Sequence, residues 1–156
     1  MIDLSQIDHP RLDYTPILDA IKNDPFISER IGSEVFFGPP QKRKNQFVMC
    51  NLVGTYLKKT DDHRVMFMWD MCDWRIHSLS TMSRWKMTAI LSRVNVIIYS
   101  FLWAVIWEAQ IIKINKKKEV FFGSEVDDGK KALIFDYEIV YARAASDEVV
   151  IIPDGF

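Results

Sequence analysis

Residues 81–102 form the longest stretch of helical periodicity in the sequence. Ser80 or Thr81 can cap the first turn, because either hydroxyl can accept a hydrogen bond from a free backbone N–H. Apolar residues recur at the three-and-four spacing of one helix face, namely Met87, Ile90, Leu91, Val94, Ile97, Ile98, Phe101 and Leu102. Segments that alternate like strands stand on both sides. We therefore predict one long central helix that packs against a sheet.

Strand-like alternation occupies much of the remaining chain. Residues 46–59 and 64–78 flank a polar turn and predict a β-hairpin. Both faces of residues 64–78 carry apolar side chains, so we expect a second cover, which in a small domain can be a neighbouring subunit. Residues 103–115 and 131–143 predict two further long strands. The last strand has one apolar face, formed by Leu133, Phe135, Tyr137, Ile139 and Tyr141.

Proline and glycine mark the shorter elements. Thr15-Pro16 predicts the start of one helix, and Asp24-Pro25 predicts a second that ends before Gly32. A short strand follows at residues 34–37, then an exposed loop at residues 38–45. Residues 115–130 are predicted to be a long excursion between two strands.

The order of these elements predicts an α+β fold: an antiparallel β-sheet with helices packed on one face, including one long central helix. The length of 156 residues predicts a single domain. Within it we expect an N-terminal arm at residues 1–13, an α+β core at residues 14–143 and a C-terminal tail at residues 144–156. The apolar run at residues 94–107 is shorter than the ~20 residues of a membrane span, so we expect no membrane insertion.

The residues suggest no catalytic site. His9, His63 and His77 are scattered over an arm, a turn and a strand end, and no zinc-ligand spacing is present. Cys50 and Cys72 lie in apolar segments and are predicted to be buried thiols. No glycine-rich phosphate loop or nucleophile motif occurs. We therefore expect no enzyme activity, no metal and no cofactor.

Charge and aromatic content leave two interpretations open. Lysine and arginine total 20 against 21 acidic residues, which argues against a dominant nucleic-acid footprint. The basic clusters at residues 42–44, 116–118 and 130–131 are typical of solvated loop tips, but they could also guide a polyanion without reading bases. The five tryptophans could all pack in the core, or some could lie at a protein interface.

In its order of elements the chain resembles the tail terminator (tail-completion, head–tail joining) proteins of long-tailed bacteriophages. The resemblance covers residues 14–141. It rests on an opening helix with Ile17, Leu18 and Ile21, the hairpin, the helix from Thr81, and the closing strand at residues 133–141. The most suggestive local match is a short strand followed by Pro-Pro-Gln, Glu34-Val35-Phe36-Phe37-Gly38-Pro39-Pro40-Gln41.

The resemblance implies a structural protein that forms a homohexameric ring. Such a ring caps the tail tube, offers a docking face to the head-completion or connector protein, and lets DNA pass through its lumen without sequence recognition. It implies a location in the tail or neck of the virion, with assembly in the host cytoplasm.

The resemblance also suggests roles for particular residues. Lys42, Arg43 and Lys44 are candidates for a polar loop at the DNA channel. A second set is the candidate axial partner loop: Lys116, Lys117, Lys118, Phe121 and Phe122. Candidate subunit-interface residues are Trp69, Trp74, Val149 and Ile151.

Two alternatives remain open at this point. The first is another structural role, as a head-completion or neck adaptor or a different tail ring. The second is a binding module for nucleic acid or a small molecule, which would need exposed aromatic side chains among lysines on one sheet face.

Overall fold

The computed structural model describes residues 11–42, 45–62, 64–78, 82–123 and 130–144. The elements are α1 (Thr15–Lys22), α2 (Pro25–Ile31), β1 (Val35–Phe37), β2 (Gln46–Lys59), β3 (Val65–Ser78), α3 (Arg84–Tyr99), β4 (Val105–Ile106), β5 (Ala109–Phe122) and β6 (Lys131–Ala144). The strands form one six-stranded sheet in the order β1-β2-β3-β6-β5-β4. β1 is parallel to β2, and every other neighbouring pair is antiparallel.

Local chemistry explains where the helices begin. The carboxylate of Asp24 accepts a hydrogen bond from the backbone N–H of Ile27 and caps α2. The same carboxylate lies 2.7 Å from the guanidinium of Arg93, which ties α2 to α3. Ser83 caps α3 by accepting a bond from the N–H of Lys86, so the helix begins after Ser83 and not at the predicted Ser80 or Thr81.

The core lies between the helices and one face of the sheet. α3 buries one stripe, formed by Met87, Ile90, Leu91, Val94, Ile97 and Ile98. The strands contribute the largest fully buried side chains, which are Trp74, Phe135, Tyr137 and Tyr141. No helix in the described part of the chain is long and apolar enough to cross a membrane.

The predicted fold class is wrong. Among the residues that the structure describes, 50% lie in strands and 25% in helices, and the six strands curl into a half-barrel with three short helices. The described part of the chain contains no long central helix, because α3 ends at Tyr99. At Trp103 the backbone turns into a left-handed conformation (φ 71°), and the Trp103 N–H donates to the carbonyl of Ile111 instead of continuing the helix.

The predicted excursion at residues 115–130 is the second source of the error. Its first half, up to Phe122, belongs to strand β5. The predicted strand at residues 103–115 is instead divided between the short β4 and the first half of β5. Lysine runs favour loops by composition, but opposite charges across neighbouring strands stabilise a sheet, and β6 supplies those charges.

Other expectations are confirmed. β2 and β3 form the predicted antiparallel hairpin, although its register shifts between Leu52 and Gly54. β6 matches the predicted last strand, and the five apolar side chains predicted to share a face are all buried. α2 begins at Pro25 and is followed by Gly32, as predicted.

Candidate assembly surfaces

The buried carboxylate of Asp70 holds the residues before α1 against the sheet. Asp70, on β3, accepts hydrogen bonds from the hydroxyls of Tyr14 at 2.6 Å, Thr55 at 2.9 Å and Tyr141 at 3.2 Å. The Tyr141 hydroxyl in turn accepts a bond from the backbone N–H of Leu12. Burial raises the pKa of Asp70, although the three hydroxyl donors act in the opposite direction. This network positions the residues before α1 against β3 and β6.

Sequence reasoning did not identify this network, yet a signal for it was present. Asp70 alternates in register with Met66, Met68 and Cys72, so an acid stands on an apolar face. A buried carboxylate needs hydrogen-bond donors. The pattern therefore indicates that donors exist, but not which distant residues supply them.

The sheet face away from the helices carries a row of paired charges between β5 and β6. Glu138 lies 3.1 Å from the Lys113 ammonium and 3.4 Å from that of Lys117. Lys118 is 3.8 Å from Asp136. These pairs place acids of β6 beside Lys113, Lys117 and Lys118 and lower the net positive charge of this face.

The predicted axial partner loop is corrected by these contacts. Lys116, Lys117, Lys118, Phe121 and Phe122 lie on strand β5, not in a loop. The Lys116 ammonium lies 3.7 Å from the ring centroid of Phe135 and also pairs with Glu119. Phe121 packs against the core, and Phe122 is exposed. This segment is therefore part of the sheet and does not project from it.

Two tryptophans predicted at a subunit interface have different surroundings. Trp74 is fully buried in the chain's own core, so it offers no surface to another subunit, and that part of the prediction is corrected. Trp69 is half-buried on the sheet face away from the helices, with its ring 6.4 Å from that of Phe67. Tyr56, its cross-strand partner on β2, is exposed. Val149 and Ile151 lie outside the described residues.

Both long sides of the sheet have open edges within the described residues. β1 pairs only with Val48, Met49 and Cys50, so residues 51–58 of β2 have a strand on one side only. β4 pairs only with Ala109 and Gln110, so residues 113–122 of β5 are likewise an edge. Open edges present unpaired backbone groups that can accept another strand.

A strained hairpin displays exposed aromatic side chains beside the β5 edge. Trp103 and Trp107 are 61% and 74% exposed, and Val105 between them is also exposed. Trp107 and Glu108 form the turn with φ values of 51° and 66°, a conformation that favours asparagine and glycine. The guanidinium of Arg143 donates to the Trp107 carbonyl at 3.0 Å and holds the turn. Retained strain combined with exposed tryptophan is typical of a contact surface.

An open groove of about 670 Å³ lies between α2 and the beginning of α3. Its apolar side includes Phe26 and Trp85, and the Trp85 side chain is 78% exposed. Arg30, whose guanidinium lies 3.6 Å from the Phe26 ring centroid, and Lys86 make the lining basic. Gln46 donates to the Arg30 carbonyl and closes the end nearest the sheet.

The predicted channel loop is described in part. Lys42 is exposed after the Pro39-Pro40 pair, and Arg43 and Lys44 lie outside the described residues. No group of three or more His, Cys, Asp or Glu side chains that could hold a metal occurs among the residues that the structure describes. Both cysteines are buried as free thiols.

Comparison with known proteins gives a likeness of fold. No family model matches the sequence, and no curated protein matches it. Among solved structures, the fold is similar to that of a chain in a structure titled "Virion of native gene transfer agent (GTA) particle". The TM-score is 0.60 at 10% sequence identity, and the match covers 83% of this chain and 92% of the other. At that identity the match establishes a shared fold alone.

Proposed function

We propose that this chain is a structural protein of a phage-like virion. The observation that carries the proposal is the fold likeness to a chain of a gene transfer agent virion, which extends over most of both chains. The surfaces described above support it, because two open edges and a strained aromatic hairpin suit a protein that works by contact with other chains.

Within that class, the proposed role is a tail terminator that forms a homohexameric ring on the tail tube and joins it to the head connector. A ring interface is head to tail, so each subunit needs two different complementary surfaces. The two sheet edges meet this requirement. β2 and β5 run in opposite directions. The open β2 edge of one copy would therefore be antiparallel to the open β5 edge of a neighbour in the same orientation, as in the rest of the sheet.

The first experiment measures self-association and tail binding. The purified chain is expected to sediment as a hexamer, or to hexamerise on isolated tail-tube ends. Tyr56→Asp would place a charge beside the joining edge and should weaken the ring, whereas Val96→Asp, at an exposed position on α3, should not. A strict monomer that never binds tail tubes would disprove the ring proposal.

The second experiment tests the channel loop. In the proposed ring, Lys42, Arg43 and Lys44 lie near the DNA path and favour its passage by charge alone. Changing all three to glutamate should leave folding and tail length intact while infectivity falls. Unchanged infectivity would mean that this loop does not contact DNA in transit.

The alternative role is a head-completion or neck adaptor, or another tail ring. The fold likeness supports this role equally, since it does not distinguish positions along a virion. The radial and axial position of the chain in a virion reconstruction separates the two roles. A nucleic-acid-binding module is less well supported, because Lys113, Lys117 and Lys118 of β5 pair with acids of β6.

A further inference from the structure

We infer that the groove between α2 and α3 receives residues 147–152 of a second copy of this chain. The inference rests on the proposed self-assembly and adds the contact that links one subunit to the next. It follows from the lining of the groove, the chemistry of the C-terminal segment and the distance between them.

The groove has the chemistry of a site for an acidic, apolar peptide. Phe26, Trp85 and Ile90 provide apolar surface, and Arg30 and Lys86 provide positive charge. Among the lining residues Glu29 is the one acid, and it lies 4.0 Å from the Arg30 guanidinium. Aromatic side chains and arginine in a concave site are the features that most often contribute binding energy at protein interfaces.

The C-terminal segment complements this lining. Its sequence, Asp147-Glu148-Val149-Val150-Ile151-Ile152, places two acids directly before four β-branched apolar residues. Residues 147–156 include three acids and no basic residue. The acids match Arg30 and Lys86, and the apolar run matches the aromatic wall.

Distance excludes the chain's own groove. Gln46 and Met82 line the groove, and the Lys131 ammonium bonds to the Met82 carbonyl, so the groove lies at the start of β6. The described part of β6 ends at Ala144, the other end of this strand of 14 residues, roughly 40 Å away at ~3.3 Å per residue. Glu148 is four residues beyond Ala144 and reaches at most about 14 Å from it. The occupant is therefore a segment from another copy.

Cross-linking between two full-length variants tests the contact. Ala89→Cys places a thiol in the groove, and Ile151→Cys places one in the segment; the native Cys50 and Cys72 are buried. The two variants are produced together with different tags, purified and mildly oxidised. We expect a disulfide-linked heterodimer from this pair and much less from Ile151→Cys with Val96→Cys, whose thiol stands on the same helix outside the groove.

Other outcomes overturn the inference. Equal linking to both helix positions would mean that the segment has no preference for the groove. A link from Ile7→Cys to Ala89→Cys, without one from Ile151→Cys, would make the N-terminal segment the occupant. A link within one chain in the dilute double variant would mean that the segment reaches its own groove. Hexamers without any of these links would overturn the contact but keep the ring, whereas loss of all self-association would overturn the ring as well.

A charge exchange gives an independent readout. Lys86→Glu should weaken self-association about fivefold, the effect of one rim charge pair. Adding Glu148→Lys to that variant should restore it. Val96→Glu, at an exposed position on α3 outside the groove, serves as the control and should have no effect. Failure of the exchange to restore association would contradict the proposed charge contact.

Discussion

The two faces of the sheet differ in how far their side chains are buried and in the charges they carry. On the helix side, β3 contributes Met66, Met68, Cys72, Trp74 and Ile76, all buried. On the other side the same strand contributes Val65, Phe67, Trp69 and Met71, which are only partly covered. The alternation of a strand places the two sets one residue apart, so their different burial comes from what covers each face and not from composition.

The difference between the two faces is clearest at their acidic residues. Asp70, on the helix side, is surrounded by hydroxyl groups, and burial raises its pKa. Glu138, on the other side, bonds to Lys113 and also pairs with Lys117, and these lysines lower its pKa. One face thus specifies the fold by burial and a polar network, whereas the other is stabilised by pairs that water can still reach.

The largest effect is expected at Tyr137, which is 1% exposed on the helix side. Its hydroxyl donates to the side-chain carbonyl of Asn95, which joins β6 to α3. Tyr137→Asp would bury an unpaired charge and should lower the free energy of unfolding by roughly 3–5 kcal/mol. Urea unfolding followed by circular dichroism measures this change. Tyr137→Phe is the control and should cost only about 1 kcal/mol, the contribution of one hydrogen bond.

A loss of the expected size or larger in Tyr137→Asp, together with a near-native Tyr137→Phe, would support the contrast between the two faces. A stable Tyr137→Asp would mean that the helix-side face tolerates charge as the other face does.

Asp70→Asn should change the free energy of unfolding by less than Tyr137→Asp does, and the size of the change should depend on pH. Because the folded-state pKa of Asp70 is raised, the folded protein binds this proton more tightly than the unfolded chain does. The contribution of Asp70 to stability is therefore fully present below the ordinary pKa of 3.8 and is lost as the pH rises through the folded-state value. Relative to Asp70→Asn, the wild type should lose stability as the pH rises from about 4.

Unfolding in urea at a series of pH values measures that difference. A wild type that gains stability over Asp70→Asn across the same range would contradict the raised pKa. Thr55→Val removes one donor to the carboxylate and should raise the folded-state pKa of Asp70 further, which would extend the pH range of the loss.

Local sequence signals predicted the elements better than their arrangement. The hairpin and the last strand were predictable because alternation and turn residues are encoded within a few positions of each other. The end of α3 was predictable in part: its apolar stripe is regular to Ile98, but Phe101 and Leu102 still fit the spacing. In the structure the helix ends at Tyr99, and the next N–H groups bond three residues back. The left-handed turn at Trp107-Glu108 lacks the usual glycine or asparagine signal.

For the candidate surfaces as well, local features were predictable from the sequence and contacts between distant residues were not. The exposed position of Lys42 was predictable from the prolines before it. The pairing of Lys117 and Lys118 was not, because their partners Glu138 and Asp136 are distant in the sequence and become neighbours only through the register of β5 with β6. Trp74 was assigned to an interface because tryptophan is typical of both cores and interfaces, and composition does not separate the two.

The smallest change in the free energy of unfolding is expected from Glu138→Gln, on the sheet face away from the helices. The lysines lower the folded-state pKa of Glu138, so its contribution to stability is present above the ordinary value of 4.5 and is lost as the pH falls through the folded-state value. Relative to Glu138→Gln, the wild type should gain stability as the pH rises, the opposite slope to that of Asp70. The gain should be at most about 1 kcal/mol, because Lys113 is largely exposed, and it should shrink in high salt. If the stability difference between wild type and variant changed with pH in the same direction for Asp70 and Glu138, the two faces would not differ in their electrostatics.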